Sequence, residues 1–246
     1  MRQILDSVEK EILKIVDESD KPIGTWIIEN KLNEKNIDVS TATVGRILSK
    51  LENSGYVEKY KNEGRIITPE GKLAIKKAEN IDIINFHQEK IDEIISTEIL
   101  ENFLTIIQAR RAIEKETCRL ATSLISEEGI MKLKEIVDRQ NAKQKKGESI
   151  ADEDLEFHRT IAHASGNPIL ESMYNIISTF KQQSTLFEYM RSQINSPYSK
   201  AHVNIYNAIK NRDEDEAEEL MAEHMDNMKE DILTYWNKFN KSQMKH

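Results

Sequence analysis

Asp154, His158, His202 and His224 are the residues of this 246-residue chain whose types and spacing could do chemistry. Asp154 and His158 are four apart in a stretch that reads as helix, so their side chains share a face one turn apart. His202 and His224 each stand eleven residues from Asp213, on either side of the polar break Asn211-Arg212-Asp213-Glu214. If the flanking segments are antiparallel helices, equal distances from the turn bring both imidazoles to one height. Four such groups in one layer of a bundle could enclose a divalent metal. The chain has six histidines, so coincidental spacing is the competing reading. His163 is five beyond His158 and belongs to a different face, and no role is assigned to His87. The lone Cys118 lies on an apolar helical face, as a core residue rather than a nucleophile.

The elements that must position these residues are helical. Hydrophobic residues are 38% and charged residues 32%, with eight Gly and four Pro, the profile of a mostly helical soluble protein. No apolar run approaches the roughly 20 residues of a membrane span. Acidic Asp6 comes too early for a signal peptide. A single cysteine excludes a disulfide framework and suits a reducing cytoplasm. The net charge of −8 argues against indiscriminate nucleic-acid binding. The charge is uneven, however: residues 40–77 carry eight basic against four acidic side chains. A small basic segment on an acidic body suits a protein that presents one surface to a polyanion.

Three helices and a hairpin are expected before residue 78. Val8, Ile12, Leu13 and Val16 form a helical stripe, and a second helix over 25–33 turns Trp26, Ile27 and Leu32 inward. Ser40 or Thr41 caps a third helix, whose inward residues are Val44, Ile47, Leu48 and Leu51 and which Ser54-Gly55 stops. Residues 56–60 and 65–67 alternate like paired strands around Asn62-Glu63-Gly64, and Thr68-Pro69 opens another helix. This order, with Leu51-Glu52-Asn53-Ser54-Gly55-Tyr56-Val57 after the third helix, resembles the winged helix-turn-helix domains of bacterial and archaeal regulators. Ser40, Thr41, Thr43, Arg46 and Lys50 lie off the apolar stripe and are small or cationic, as a face entering the major groove of double-stranded DNA requires. Lys59, Lys61 and Arg65 on the wing would clamp adjacent backbone. Use of the domain for protein contact is the competing reading.

The remainder reads as a helical connector over 79–100, with Ile81, Ile84, Phe86, Ile91, Ile94 and Ile95 apolar, followed by an all-α bundle of six or seven helices over 101–246. Helical segments are expected over 103–124, 129–143, 149–164, 198–210 and 214–239. Ser165-Gly166-Asn167-Pro168 marks a sharp boundary, and Ser196-Pro197 repeats the start signal.

This second part resembles the C-terminal ligand-binding domain of FadR-type regulators in the GntR family, over roughly residues 80–240. The resemblance rests on Ala109-Arg110-Arg111-Ala112-Ile113-Glu114, Asp154-Leu155-Glu156-Phe157-His158 and Ala164-Ser165-Gly166-Asn167-Pro168, then His202 and His224 in that order. It implies a metal held by one Asp and three His, and Asp154, His158, His202 and His224 fall on those positions. It also implies an Arg near the ligand, the position of Arg110. A nitrogen-rich set with one carboxylate suits Zn or Ni and leaves positions open for water or an anionic effector. Arg110 would add a bidentate carboxylate clamp. The N-terminal part departs from the family: Ser40-Thr41-Ala42-Thr43-Val44-Gly45-Arg46-Ile47-Leu48 stands where the usual recognition helix reads S-R-x-P-V-R-x-A-L. The family's DNA-contact residues therefore do not transfer.

The expected function is a cytoplasmic, homodimeric transcription regulator, a repressor relieved by a small carboxylate, with the connector as transmission element. A metal-responsive regulator uses the same four residues with the ion as signal. A metalloenzyme is disfavoured because Glu153 and Glu156, the nearby acids, are expected to face solvent. Ile106 and the connector are candidate dimer surfaces, whereas the stretch 180–190, with Leu186, Phe187 and Tyr189, reads as core.

Overall fold

A computed structural model describes residues 5–96, 99–178, 181–194, 196 and 199–239. The chain is mainly α and divides into two compact units, Met1–Lys90 and Ile91–His246.

In the first unit, α1 (Ser7–Asp17) is closed by a capping box: Asp6 accepts from the Glu9 amide at 2.8 Å and Glu9 accepts from the Asp6 amide at 3.1 Å. Its Ile12, Leu13, Ile15 and Val16 are buried. Helix α2 (Thr25–Glu34) buries Ile28 and Leu32, one turn apart. Trp26 and Ile27, expected inside, are exposed. Trp26 is about 200° around the helix from Ile28, so the 28/32 face that meets the core turns it outward. Ser40 caps α3 (Thr41–Asn53) through the Thr43 amide, and Val44, Leu48 and Leu51 complete the core. Strands β1 (Val57–Tyr60) and β2 (Gly64–Ile67) pair antiparallel, Val57 with Ile67 and Tyr60 with Gly64. An isolated bridge joins Arg65 to Ile23. Gly64 adopts φ 140°, and a Cβ there would lie 2.4 Å from the Ile23 carbonyl oxygen, so this turn requires glycine.

The short helix expected at Pro69 and the separate connector are one element, α4 (Pro69–Ile95), because no breaker interrupts it. Thr68 caps it by accepting from the Gly71 amide at 3.0 Å.

The second unit contains α5 (Leu100–Leu124), α6 (Glu127–Lys145), α7 (Ala151–Ala164), α8 (Pro168–Ser178), α9 (Lys181–Gln193), α10 (Ser199–Lys210) and α11 (Glu214–Phe239). Seven helices among the described residues agree with the expected bundle. Helices α5 and α11 pack along each other, α7 lies against α5 and α6, and α10 against α11 and α6. Phe103, Ile107, Leu133, Phe157, Ile205 and Met221 are central to one core. Cys118 is buried there and donates to the Ala217 carbonyl. Ile106 is also buried, so it has no surface to offer a second copy. Phe187 and Met190 are buried as expected, whereas Tyr189 is exposed. Phe180, Pro197 and Tyr198 lie outside the described residues.

Candidate metal and effector centre

Two local features bring the four residues together. The i, i+4 spacing on α7 stacks Asp154 below His158. The turn between α10 and α11, where Asp213 caps α11 through the Glu216 amide at 3.0 Å, folds the two helices back on one another. The expected equal height follows: Nε2 of His202 and Nε2 of His224 are 3.3 Å apart. Asp154 Oδ1 lies 3.5 Å from His202 Nε2 and 4.0 Å from His158 Nε2. One ligand atom from each residue falls within 4.8 Å of the others. All three imidazoles are buried, and Asp154 is half-buried.

Three further residues, Gln140, Glu114 and Arg110, surround this cluster, and the spacing of the four ligands points to neither Gln140 nor Glu114. His202 Nδ1 donates to Gln140 Oε1 of α6 at 2.9 Å, which leaves its Nε2 lone pair facing inward. Glu114 of α5 touches His158 Nδ1 at 2.5 Å without hydrogen-bond alignment, and its other oxygen accepts from Arg110 Nε at 2.5 Å. Burial alone would raise the Glu114 carboxyl, but Arg110 and then His158 outweigh it and hold it at about 2. The only signal for Glu114 was its position four after Arg110. Gln140 had none, because its partner is 62 residues away. Arg110 is buried and its terminal Nη1 meets Met228 Sδ at 3.9 Å. Burial pushes His202 down to about 3 and His224 well below the ordinary 6.5, so both are neutral.

The donor set fits a divalent ion. Donors about 2.1 Å from one ion stand about 3.0 Å apart when cis in an octahedral shell and about 3.4 Å apart in a tetrahedral one, so the separations of 3.3, 3.5 and 4.0 Å need only a small inward movement to reach an ion that keeps positions open. Neutral imidazoles have their lone pairs available, and two aligned Nε2 lone pairs repel unless a proton or cation lies between them. His158 Nε2 and His224 Nδ1 are buried without a hydrogen-bond partner. Such orphaned atoms mark either strain or a missing ion. A cleft of about 320 Å³ reaches His224, with Arg191, Lys200, Asn204 and Asn227 along it. His163 is exposed and pairs with Glu171 at 3.1 Å, outside the cluster.

A family model described as FCD domain matches residues 105–227, half of the chain, and includes all four cluster residues. The chain belongs to the FCD-domain branch of the GntR-family transcription regulators. The uncharacterized HTH-type transcriptional regulator YcbG of Bacillus subtilis (strain 168) is 29% identical over 134 residues, 54% of this chain and 55% of that protein. The HTH-type transcriptional regulator LutR of the same organism is 23% identical over 208 residues, 81% of this chain and 87% of that protein. A solved structure of E. coli McbR/YncC covers 97% of this chain and 100% of its own, with TM-score 0.46 and 17% identity. The N-terminal departure from the family also has a counterpart. Residues 10–75 match a model described as Ribonuclease R winged-helix domain.

The candidate DNA face of this regulator lies on α3 and the wing. Thr41 is tied to Glu29 by its amide and its hydroxyl, and Thr43 bonds Ser40 Oγ and Arg46 Nη2, each at 3.1 Å. Arg46, Lys59 and Lys61 are exposed and make no ion pair among the described residues, Lys61 lying over the Tyr60 ring. Lys50 pairs with Glu9, and Arg65 with Glu52 at 3.1 Å. Two of the five basic side chains are therefore occupied within the unit. Glu153, expected in solvent, is buried and pairs with Lys143 at 2.8 Å, while Glu156 pairs with Arg139. The relatives are regulators rather than enzymes, which removes the metalloenzyme reading.

Proposed function

We propose that the chain binds a two-fold-related DNA operator as a homodimer and that a small carboxylate at a divalent metal, Zn or Ni, sets its affinity for that site. Asp154, His158, His202 and His224 would hold the ion, which would supply a Lewis-acidic anchor for an anion. The observation that carries this reading is the convergence of three buried imidazoles on one carboxylate, with nitrogens left unpartnered. Charge supports the effector class. Arg110 is offset by Glu114, so a divalent ion with Asp154 as its one carboxylate ligand would leave one formal positive charge in excess, which an anionic effector would neutralise. Arg110 spends Nε on Glu114, so its terminal nitrogens are what remain for a clamp. The effector regulates by binding one DNA-affinity state more tightly than the other, and release of a repressor is the proposed direction.

The pairing of Arg110 with Glu114 favours a second reading, in which the ion itself is the signal. Both are tested by elemental analysis of the protein purified without added metal, beside His202→Ala/His224→Ala. About one Zn or Ni per chain, lost in the folded double variant, is expected. Operator binding is then titrated with metal and with carboxylates separately. No metal in the wild type after reloading would end both readings.

A further inference from the structure

Two of the three clustered imidazoles have an outer companion. Nδ1 of His202 bonds Gln140 at 2.9 Å, and Nδ1 of His158 touches Glu114 at 2.5 Å. Nδ1 of His224 has no hydrogen-bond partner, although the residue is only 1% exposed. A buried ring nitrogen left in this way is costly unless something outside the chain answers it. His224 is also the member of the cluster that lines the cleft of about 320 Å³ formed by α10, α11 and the end of α9. Its Nε2 faces His202 at 3.3 Å, so Nδ1, on the other side of the ring, is turned away from the cluster. The walls of the cleft carry both signs of charge. Lys200 comes from α10 and Glu223 and Glu230 from α11, with the amides of Asn204 and Asn227 beside them. None of these five side chains makes a hydrogen bond or ion pair among the described residues. Residues of α11 toward α5 do: Asp226 pairs with Arg111 at 2.8 Å and Glu218 with Lys115 at 2.7 Å. Arg191 is also spent, giving Nε to Asp231 at 2.7 Å, where Ser196 donates to the same oxygen at 2.6 Å.

Charge decides the class of occupant. Arg191 and Asp231 cancel, which leaves Lys200 against Glu223 and Glu230. A simple carboxylate would leave both glutamates unanswered, and a simple ammonium ion would leave Lys200 unanswered. A small zwitterion answers all three. We propose that this cleft binds a free amino acid, its carboxylate between Lys200 and Nδ1 of His224 and its ammonium group on the side of Glu223 and Glu230. The site is separate from the open positions of the proposed ion, and it rests on the metal reading only for its coupling to that ion. The coupling runs through one proton of His224. Nδ1 of His202 donates to Gln140, so without an ion the proton between the two Nε2 atoms belongs to His224, and Nδ1 of His224 is an acceptor. With Nε2 given to an ion, that proton moves to Nδ1, which becomes a donor. A carboxylate in the cleft accepts from the donor form alone. Amino acid and ion therefore favour one another, each raising the affinity of the other by the same factor.

Equilibrium dialysis of the full chain against radiolabelled glycine, L-serine and L-glutamine in turn tests this, with bound zinc counted in each sample. Zinc-loaded protein is expected to hold about one amino acid per chain, and metal-free protein to bind it about 10–100-fold more weakly. Acetate and methylammonium, which carry one charge each, are expected to compete at least about tenfold less well than the amino acid. Glu223→Gln/Glu230→Gln changes exposed side chains, so fold and zinc content should hold. Its amino-acid affinity should fall at least about tenfold while its affinity for acetate rises. Retention of none of the three amino acids at millimolar concentration would leave the cleft to water and overturn the site. An amino acid held equally well by Glu223→Gln/Glu230→Gln would be sitting on the ion, which also overturns it. Equal affinity with and without zinc would overturn the coupling through His224. A chain that takes up no zinc would end the metal reading, yet the cleft would stand if metal-free protein bound the amino acid and Glu223→Gln/Glu230→Gln did not.

Discussion

Replacing Glu114 by Gln tests whether one buried carboxylate both neutralises Arg110 and orients His158. Glu114 is 2% exposed, with Arg110 Nε and His158 Nδ1 each 2.5 Å from one of its oxygens. Its carboxyl is held at about 2 against an ordinary 4.5, equivalent to roughly 3 kcal/mol of folded-state stabilisation. Because the folded value is the lower one, that stability is complete above pH 4.5 and is lost as pH falls from there toward 2. Glutamine keeps the volume and an acceptor oxygen but leaves the guanidinium buried without a counter-charge, at a cost of about 3–5 kcal/mol. At about 2–4 °C per kcal/mol for a domain of this size, the bundle should melt roughly 6–20 °C lower at pH 7. The two proteins should converge near pH 2. Zn affinity, measured by competition with a chromophoric chelator, should fall about 10–100-fold as His158 loses its anionic partner. Arg110→Met/Glu114→Gln removes both charges and should regain most of the stability without regaining the metal affinity. Zn affinity within twofold of wild type in Glu114→Gln would falsify the orienting role. An unchanged melting temperature would show that Arg110 does not depend on Glu114.

Further outcomes concern the neighbouring histidines and the DNA face. His202 is held at about 3 and His224 well below 6.5, so metal-free protein keeps both neutral while the unfolded chain gains protons below pH 6.5. Stability in chelator should therefore fall by about 2 kcal/mol per histidine between pH 6.5 and pH 5, and a melting temperature flat over that range would refute neutral burial. On the DNA face, Arg46→Ala should weaken operator binding and lower the salt-dependence slope by about one. Arg65→Ala removes the pair with Glu52, so it should loosen the wing and leave the slope unchanged. An equal loss of slope in both variants would show that Arg65 leaves Glu52 to meet phosphate.

Regular spacing made much of the molecule legible. The i, i+4 step from Asp154 to His158 and the equal arms around Asp213 are local geometry, which a helix and a tight turn convert directly into position. The caps at Ser40, Thr68 and Asn167 were readable because a capping side chain acts within three residues of itself. Trp26 is exposed against expectation because apolar character says a residue gains by burial, not that the core has room on its side of the helix. Glu153 is buried against expectation for the opposite reason. A charged side chain is expected in solvent until a partner such as Lys143, ten residues away on another helix, is brought to it.

The sequence by itself determined the helices, the hairpin and the four convergent residues, because repeats of 3.6 and two, turn residues and ligand chemistry are written in neighbouring positions. Tertiary structure alone decided that Gln140 serves His202 and that Glu114 links Arg110 to His158. It also decided that Lys50 and Arg65 are spent on Glu9 and Glu52. These are relations between residues far apart in the chain. They depend on how helix faces rotate to bury the most apolar surface, a choice made by the whole core at once.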